Sequence, residues 1–326
     1  MEKVIEVKNL VRIYKSEVGY LRKKIREVIA LNGISFEIYK GELFGLVGPN
    51  GAGKTTTVKI LCTLLTPSSG SVKVLGCDVV KEANKIRSRI NVMFGGERGL
   101  YWRLSGRDNL RYFAYLYEIK YTEINRKVDK LLDLVGLSDR ADEKVENYSR
   151  GMKQRLHLAK CLVNDPEIIF MDEPTAGLDP AFAHDLRNFI KKLRNEGKTI
   201  FLTSHNMTEV EELCDRVAII NKGNLVALDS PQSLKRQVTN YVTIEVEYQN
   251  PSSELNSNLG KMLEPNFVTL EMEKRNLILK IQLSQREDLF KVLHKLYNAI
   301  YGIKNVRIRE PTLEDVYLKL IGYQKK

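Results

Sequence analysis

LFGLVGPNGAGKTTTVKILCTLL, residues 43 to 65, decides the fold. Its first five residues are an apolar run of strand length and its last eleven follow a helical pattern. Where they meet, Gly48, Gly53, Lys54 and Thr55 satisfy G-x-x-x-x-G-K-[ST]. A strand that breaks into glycines and re-enters a helix turns its backbone N–H groups inward, where they can surround an anion. Pro49, Asn50, Gly51, Ala52 and Thr56 complete the loop. The four-residue pattern arises by chance in roughly one chain of this length in a hundred, so a glycine-rich turn with no ligand is the weaker reading.

Working outward, short apolar runs such as LFGLVG, EIIFMD and KTIFLTSH alternate with longer helical patterns from residue 1 to about 235. That is the signature of an α/β domain with a parallel sheet covered by helices. From about 97 to 165 charged amphipathic stretches such as INRKVDKLLDLVGL replace the apolar runs, which predicts a helical subdomain inserted in the sheet. Beyond 236 the rhythm changes. YVTIEVEY, FVTLEME and NLILKIQL alternate at period two, REDLFKVLHKLYNAI reads as a helix, NVRIRE as a strand and TLEDVYLKLIG as a closing helix. Thr312 and Asp315 have the spacing of a capping box. Residues 236–326 are therefore expected to form a separate small α+β domain, with the polar NPSSELNSN inside it.

Composition narrows the class. The 326 residues are 43% hydrophobic and 29% charged, and no apolar run reaches the roughly 18 to 20 residues that a membrane span needs. MEKVIEVKNL has no apolar signal core, and Cys62, Cys77, Cys161 and Cys214 are scattered without a CxxC pair. A reducing cytoplasm is the expected location. The 52 basic and 41 acidic residues leave a charge of +11, which suits nucleotide phosphates, nucleic acid or an anionic membrane without choosing among them.

Three further motifs follow the loop. EIIFMDEP ends a buried-strand pattern in Asp172 and Glu173, and ligands in α/β sheets gather at the carboxyl ends of strands. Beside a phosphate loop, Asp172 would hold Mg²⁺ together with the Thr55 hydroxyl, and Glu173 would face the terminal phosphate and orient or deprotonate a water. NYSRGMKQRLHLAKCL puts Ser149 and Gly151 at the start of a helix, which is an anion site or a plain N-cap. AGLDP and LTSHNMTEVEEL then supply Asp179 and His205.

GPNGAGKTT, YSRGM, IIFMDEP, GLDP and TSH, in this order, resemble the Walker A, signature, Walker B, D-loop and H-switch of ATP-binding cassette (ABC) ATPases. The resemblance covers residues 1 to about 235. It implies a P-loop NTPase core that binds ATP with Lys54 on the β and γ phosphates, and Tyr14 stacked on adenine. It also implies that Ser149 and Gly151 bind the γ-phosphate held by a second subunit, that His205 contacts that phosphate, and that Asp179 links the two sites. Hydrolysis would then need a dimer. YSRGM differs from the commoner LSGGQ at Tyr148, Arg150 and Met152 but keeps the serine and second glycine. Together with TLEDVYLKLIG it is similar to the separate-chain ATPases of type-two exporters, whose partner is a membrane permease. The expected function is therefore the ATP-hydrolysing subunit of an exporter, homodimeric and held at the cytoplasmic face of the membrane by a permease, with no nucleic acid. The alternatives are a soluble ABC ATPase acting on nucleic acid or ribosomes, and a weakly hydrolysing nucleotide sensor.

Two segments depart from that family pattern. In VMFGGERGLYW, residues 92 to 102, the position of the family's Mg²⁺-contacting glutamine falls at Gly96, and Glu97 is expected to supply the missing oxygen; the alternatives are a slow or sensor-like site, with Glu97 a solvated acid paired with Arg98. Tyr101 and Trp102 beside it read as partner-facing anchors or as buried aromatics of the helical subdomain. In KSEVGYLRKKIREV, residues 15 to 28, Val18, Leu21, Ile25 and Val28 fall at spacings of three, four and three. That predicts a helix with one apolar face, a solvated insertion or a contact to permease or lipid.

Overall fold

The computed structural model of the chain describes residues 2–18, 24–95, 99–238, 242–249, 267–273, 276–283, 294, 303–309 and 311–321. Contacts divide it into two compact units, Met1–Pro231 and Gln232–Lys326.

In the first unit two sheets share one core. An antiparallel sheet is formed by β1 (Lys3–Val18), β2 (Lys24–Tyr39), β4 (Ser69–Val74) and β5 (Cys77–Asp78), in the order β2-β1-β4-β5. A second sheet contains β3 (Leu43–Val47), β6 (Ile90–Phe94), β7 (Ile168–Asp172), β8 (Thr199–Ser204), β9 (Arg216–Asn221) and β10 (Asn224–Asp229). Its order is β10-β9-β3-β8-β7-β6, parallel throughout except for the β10 edge. Every residue of β3, β7 and β8 is buried, as expected of strands covered on both faces. Phe36 from the first sheet stacks on Phe44 at 5.5 Å, and Phe44 and Phe170 each lie 5.8 Å from Phe201. This aromatic stack ties the sheets together, along with Val58, Ile60 and Leu61 of α1 (Lys54–Leu61).

The inserted helices are α3 (Gly106–Leu116), α4 (Tyr121–Leu134) and α5 (Arg150–Cys161); a short α2 (Ala83–Arg87) precedes them. Ile124, Val128 and Leu131 repeat at four and three, which gives α4 one buried stripe. Ser105 caps α3 by accepting from the Asp108 N–H, and the fully buried Asn109 amide bonds the Tyr101 backbone at both its N–H and its carbonyl. That pins the turn ahead of α3. Tyr101 (46% exposed) and Trp102 (49%) stand outward from it, so burial inside the helical subdomain is not their role. Two helices follow the acids, α6 (Pro180–Asn195) and α7 (Met207–Leu213), and α8 (Pro231–Val238) runs into the second unit.

Residues 15 to 28 correct the helical expectation. Residues 15–18 continue β1 and residues 24–28 begin β2, paired from Tyr14↔Val28 to Val18↔Lys24, with Lys15 and Glu27 joined at 2.9 Å. Spacing alone cannot separate a short helix from a hairpin. Val18, Ile25, Val28 and Ile29 favour extended backbone, and a neighbouring strand satisfies the N–H and C=O groups that an isolated short helix holds only marginally.

In the second unit β11 (Val242–Gln249), β12 (Phe267–Glu273), β13 (Asn276–Leu283) and β14 (Ile303–Arg309) form an antiparallel sheet in the order β12-β13-β11-β14. Ile244 and Val246 are fully buried between more polar neighbours, the period-two pattern read from the sequence. In α9 (Leu313–Leu320) Thr312 and Asp315 make the reciprocal capping box, with Leu313 and Val316 buried. The helix expected over REDLFKVLHKLYNAI and the NPSSELNSN stretch lie outside the described residues, apart from the helical His294.

Candidate functional site

The parallel register assembles the site. Val47 pairs with Ser204, Asp172 with Thr203, and Phe94 with Asp172, so the carboxyl ends of β3, β8, β7 and β6 open on one edge. The loop of residues 48 to 53 leaves β3 there and enters α1. Gly48 is tied to this path, because a Cβ on it would lie 2.2 Å from the Ile220 carbonyl oxygen. Lys54, only 5% exposed, turns its ammonium back over the loop and donates to the Gly48 and Pro49 carbonyls at 2.8 and 3.2 Å.

Asp172 is buried and has each oxygen engaged. Thr55 donates to Oδ2 at 2.8 Å and Thr203 donates to Oδ1 at 2.5 Å. A threonine hydroxyl and a carboxylate oxygen at this separation are the hard oxygen donors that suit Mg²⁺, which uses few protein ligands and takes the rest from phosphate and water. Among the described residues no cluster of three His, Cys, Asp or Glu side chains could hold a metal alone.

Glu173 adopts φ 51°, a left-handed backbone uncommon for a residue with a Cβ. Its N–H is held by the Thr203 carbonyl at 3.0 Å and the Thr203 hydroxyl at 3.2 Å. The kink carries its carboxylate to a position between two cations or potential cations: Oε1 is 3.2 Å from Lys54 Nζ and Oε2 is 3.2 Å from His205 Nδ1. Lys54, Thr55, Asp172, Glu173 and His205, named separately from sequence, are thus one connected cluster. Tyr14, 37% exposed on β1, reaches it from the side through a 3.4 Å contact between its hydroxyl and that of Thr56, with the Arg12 guanidinium 4.9 Å from its ring.

Ser149 and Asp179 stand apart. Ser149 is the N-cap of α5, accepting from the Met152 N–H at 3.2 Å, and Asp179 is the N-cap of α6, accepting from Phe182 at 2.9 Å with Pro180 at the first position. Among the described residues no hydrogen bond or ion pair joins Ser149, Gly151 or Asp179 to the loop of residues 48 to 56. Two of the unusual signature residues have local reasons. Tyr148 is buried and donates to the Arg140 carbonyl at 2.6 Å; its ring lies where a Cβ on Gly106 would be 2.3 Å from the phenol oxygen. Arg150 reaches the Ala176 carbonyl at 3.4 Å, beside the Gly177 turn.

Glu97 and Gly96 lie outside the described residues. Gly95 leads toward them from the end of β6, where a Cβ would be 3.2 Å from the Asp172 carbonyl oxygen. Thr203 went unnoticed in the sequence although it stands in the TSH triplet; only the strand register shows that it faces Asp172. The four cysteines are free, and burial raises the thiols of Cys62 and Cys214 and pushes that of Cys161 up to about 12.

A family profile described as ABC transporter matches residues 31–176. The chain is similar to the ABC transporter ATP-binding protein NatA of Bacillus subtilis, 42% identical over 65% of this chain and 86% of that protein. It is also similar to the linearmycin resistance ATP-binding protein LnrL of the same organism, 33% identical over 93% of this chain and 96% of that one. The solved structure of cbiO1 from Clostridium perfringens, part of the ABC transporter complex cbiONQ, superposes with a TM-score of 0.62. It is 26% identical and covers 73% of this chain and 95% of that one.

Proposed function

Since the chain belongs to the ABC transporter family as one of its ATP-binding proteins, we propose that it is the ATP-hydrolysing subunit of an exporter. It closes as a homodimer on ATP and drives a separate membrane permease. The observation that carries this reading is the convergence of Lys54, Thr55, Asp172, Glu173 and His205 at the carboxyl ends of β3, β7 and β8. Backbone N–H groups of the loop of residues 48 to 56 and the Lys54 ammonium take the phosphates, and Tyr14 takes the adenine. Thr55 and Asp172 would hold Mg²⁺, whose charge offsets that of the β and γ phosphates. Glu173 orients a water and accepts its proton, and His205, sharing that carboxylate, contacts the γ-phosphate. Ser149 and Gly151 serve the phosphate held by the partner subunit, which suits their separation from this chain's own loop, with Asp179 beside them at the subunit boundary.

A relative named for export, the Nod factor export ATP-binding protein I of Cupriavidus pinatubonensis, 35% identical over 95% of this chain and 91% of that one, favours export over action on nucleic acid. Among the described residues no helix is long and apolar enough to cross a membrane, so a separate permease is part of the proposal. Purification from detergent-solubilised membranes tests it: a multispan membrane protein retained with the chain is the expected result, and retained RNA without one would favour the alternative.

Glu97 remains the candidate for the oxygen that Gly96 cannot give; Gly95, the last described residue before it, would carry a Cβ 3.2 Å from the Asp172 carbonyl oxygen. Glu97→Ala is expected to lower phosphate release by about tenfold to a thousandfold, the range for one preorganised catalytic group, while Glu97→Gln keeps substantial activity. An alanine variant with native turnover would remove Glu97 from the mechanism. The second unit assists dimerisation or regulation; it contains no phosphate loop. Truncation after residue 235 should leave ATP binding intact and weaken ATP-dependent dimer formation on size-exclusion chromatography. A folded truncation that cannot bind ATP would contradict this.

A further inference from the structure

Thr203 is fully buried at the end of β8, in register with Asp172 on the neighbouring strand. A threonine hydroxyl can donate one hydrogen bond and accept others. Here it donates to Asp172 Oδ1 at 2.5 Å and accepts from the Glu173 N–H at 3.2 Å, while the Thr203 carbonyl takes the same N–H at 3.0 Å. One residue therefore touches both acids in ways that fix different things. The donated bond occupies Oδ1 and leaves Oδ2 facing the Thr55 hydroxyl, so the carboxylate cannot rotate about its bond to the chain. The accepted bonds hold Glu173 at φ 51°, the turn that places its carboxylate 3.2 Å from both Lys54 and His205.

We infer that Thr203 is a positioning residue for the hydrolytic site, its single hydroxyl setting the metal-side face of Asp172 and the backbone turn of Glu173 together. The inference rests on the ATPase reading of the cluster. Without the hydroxyl a buried carboxylate oxygen loses its donor, and the left-handed turn loses one of its two acceptors. An unfilled acceptor at a buried anion is costly, and Asp172 relaxes by rotating toward Thr55. The methyl and the β-branch contribute only packing.

Thr203→Val separates these contributions because it keeps the shape and removes the oxygen, whereas Thr203→Ser keeps the oxygen. For the full chain, Thr203→Val is expected to lower kcat roughly ten- to a hundredfold with KM for ATP within about threefold. Binding of a fluorescent ATP analogue without Mg²⁺ should be unchanged, while the Mg²⁺ concentration that half-saturates the analogue's signal rises about tenfold, the loss matching one charge-assisted hydrogen bond. Thr203→Ser should recover most of both. If the valine variant does not fold, judged by thermal melting, Thr203→Ala against Thr203→Ser gives the same comparison. Native kcat and Mg²⁺ half-saturation in the valine variant would overturn the inference, as would a folded serine variant as impaired as valine. Glu173→Gln measured alongside keeps the two levels apart. A native chain that releases no phosphate from ATP refutes the ATPase reading itself, and a fully active Glu173→Gln protein removes Glu173 from the role of base, whereas an inactive Glu173→Gln beside a native Thr203→Val refutes only the role of Thr203.

Discussion

Glu173→Gln is expected to lower ATP turnover by about a hundredfold or more while ATP still binds and the dimer stays closed. The variant keeps the size of the side chain, its left-handed backbone and a polar contact to His205, but it loses the basic oxygen and the negative charge. Those two properties have separate consequences here. Loss of the base leaves the attacking water with no group to take its proton, which lowers turnover. Loss of the charge removes the carboxylate that holds Lys54 at 3.2 Å, leaving the ammonium to the loop carbonyls and to phosphate. Binding therefore persists, and the nucleotide stays trapped because the step that would open the dimer does not occur. Steady-state phosphate release together with size-exclusion chromatography in ATP measures both halves. A Glu173→Gln protein that remains monomeric and hydrolyses ATP at the native rate would remove Glu173 from the role of base.

Elements whose signal is local were legible in the sequence. The loop of residues 48 to 56 declares itself because its backbone demands glycine and its chemistry demands Lys54 and Thr55, all within nine residues. The strands ending in Asp172 and Ser204 read correctly because strands covered on both faces are continuous apolar runs. The Thr312 cap was visible since its partner is three residues away. What depended on pairing between distant segments was not visible. The antiparallel sheet of β1, β2, β4 and β5 was missed altogether, since β1 pairs with β4 residues far along the chain, from Ile5↔Val74 to Val11↔Ser69. The hairpin stem over residues 14–18 and 24–28 passed for an amphipathic helix because apolar residues at spacings of three, four and three fit a helical period, which the pairing from Tyr14↔Val28 to Val18↔Lys24 overrides.

The site shows the same division. Lys54, Thr55, Asp172, Glu173 and His205 each announce a type of chemistry. That Glu173 lies between Lys54 and His205 follows from a backbone turn at one residue, which no residue type specifies. Thr203 was hidden because a threonine in a buried strand is unremarkable by composition, and its meaning comes from the β7–β8 register. Tyr148 illustrates the converse: it looked like a departure from a signature, and it is accommodated by a glycine forty-two positions earlier in the chain, Gly106.

Lys54→Ala is expected to weaken ATP binding by about a hundredfold, close to 2.8 kcal/mol at roughly 1.4 kcal/mol per factor of ten. Lys54 is the one cation of the cluster that is both buried and mounted on the phosphate loop, with its ammonium already stripped of most water and held by the Gly48 and Pro49 carbonyls. The desolvation is therefore made during folding, and transfer of the ammonium from those carbonyls to phosphate costs little further. Alanine loses a charge-assisted contact to an anion in a poorly solvated loop, which is worth more than a surface ion pair. It also leaves Glu173 without its nearest countercharge, so the carboxylate then repels phosphate. The two variants are distinguishable by one measurement. ATP should raise the melting temperature of Glu173→Gln at least as much as that of the native chain, through selective stabilisation of the folded state, and should leave that of Lys54→Ala nearly unmoved. A Lys54→Ala protein whose melting temperature climbs with ATP as the native one does would show that backbone N–H groups alone carry the phosphate affinity of this loop.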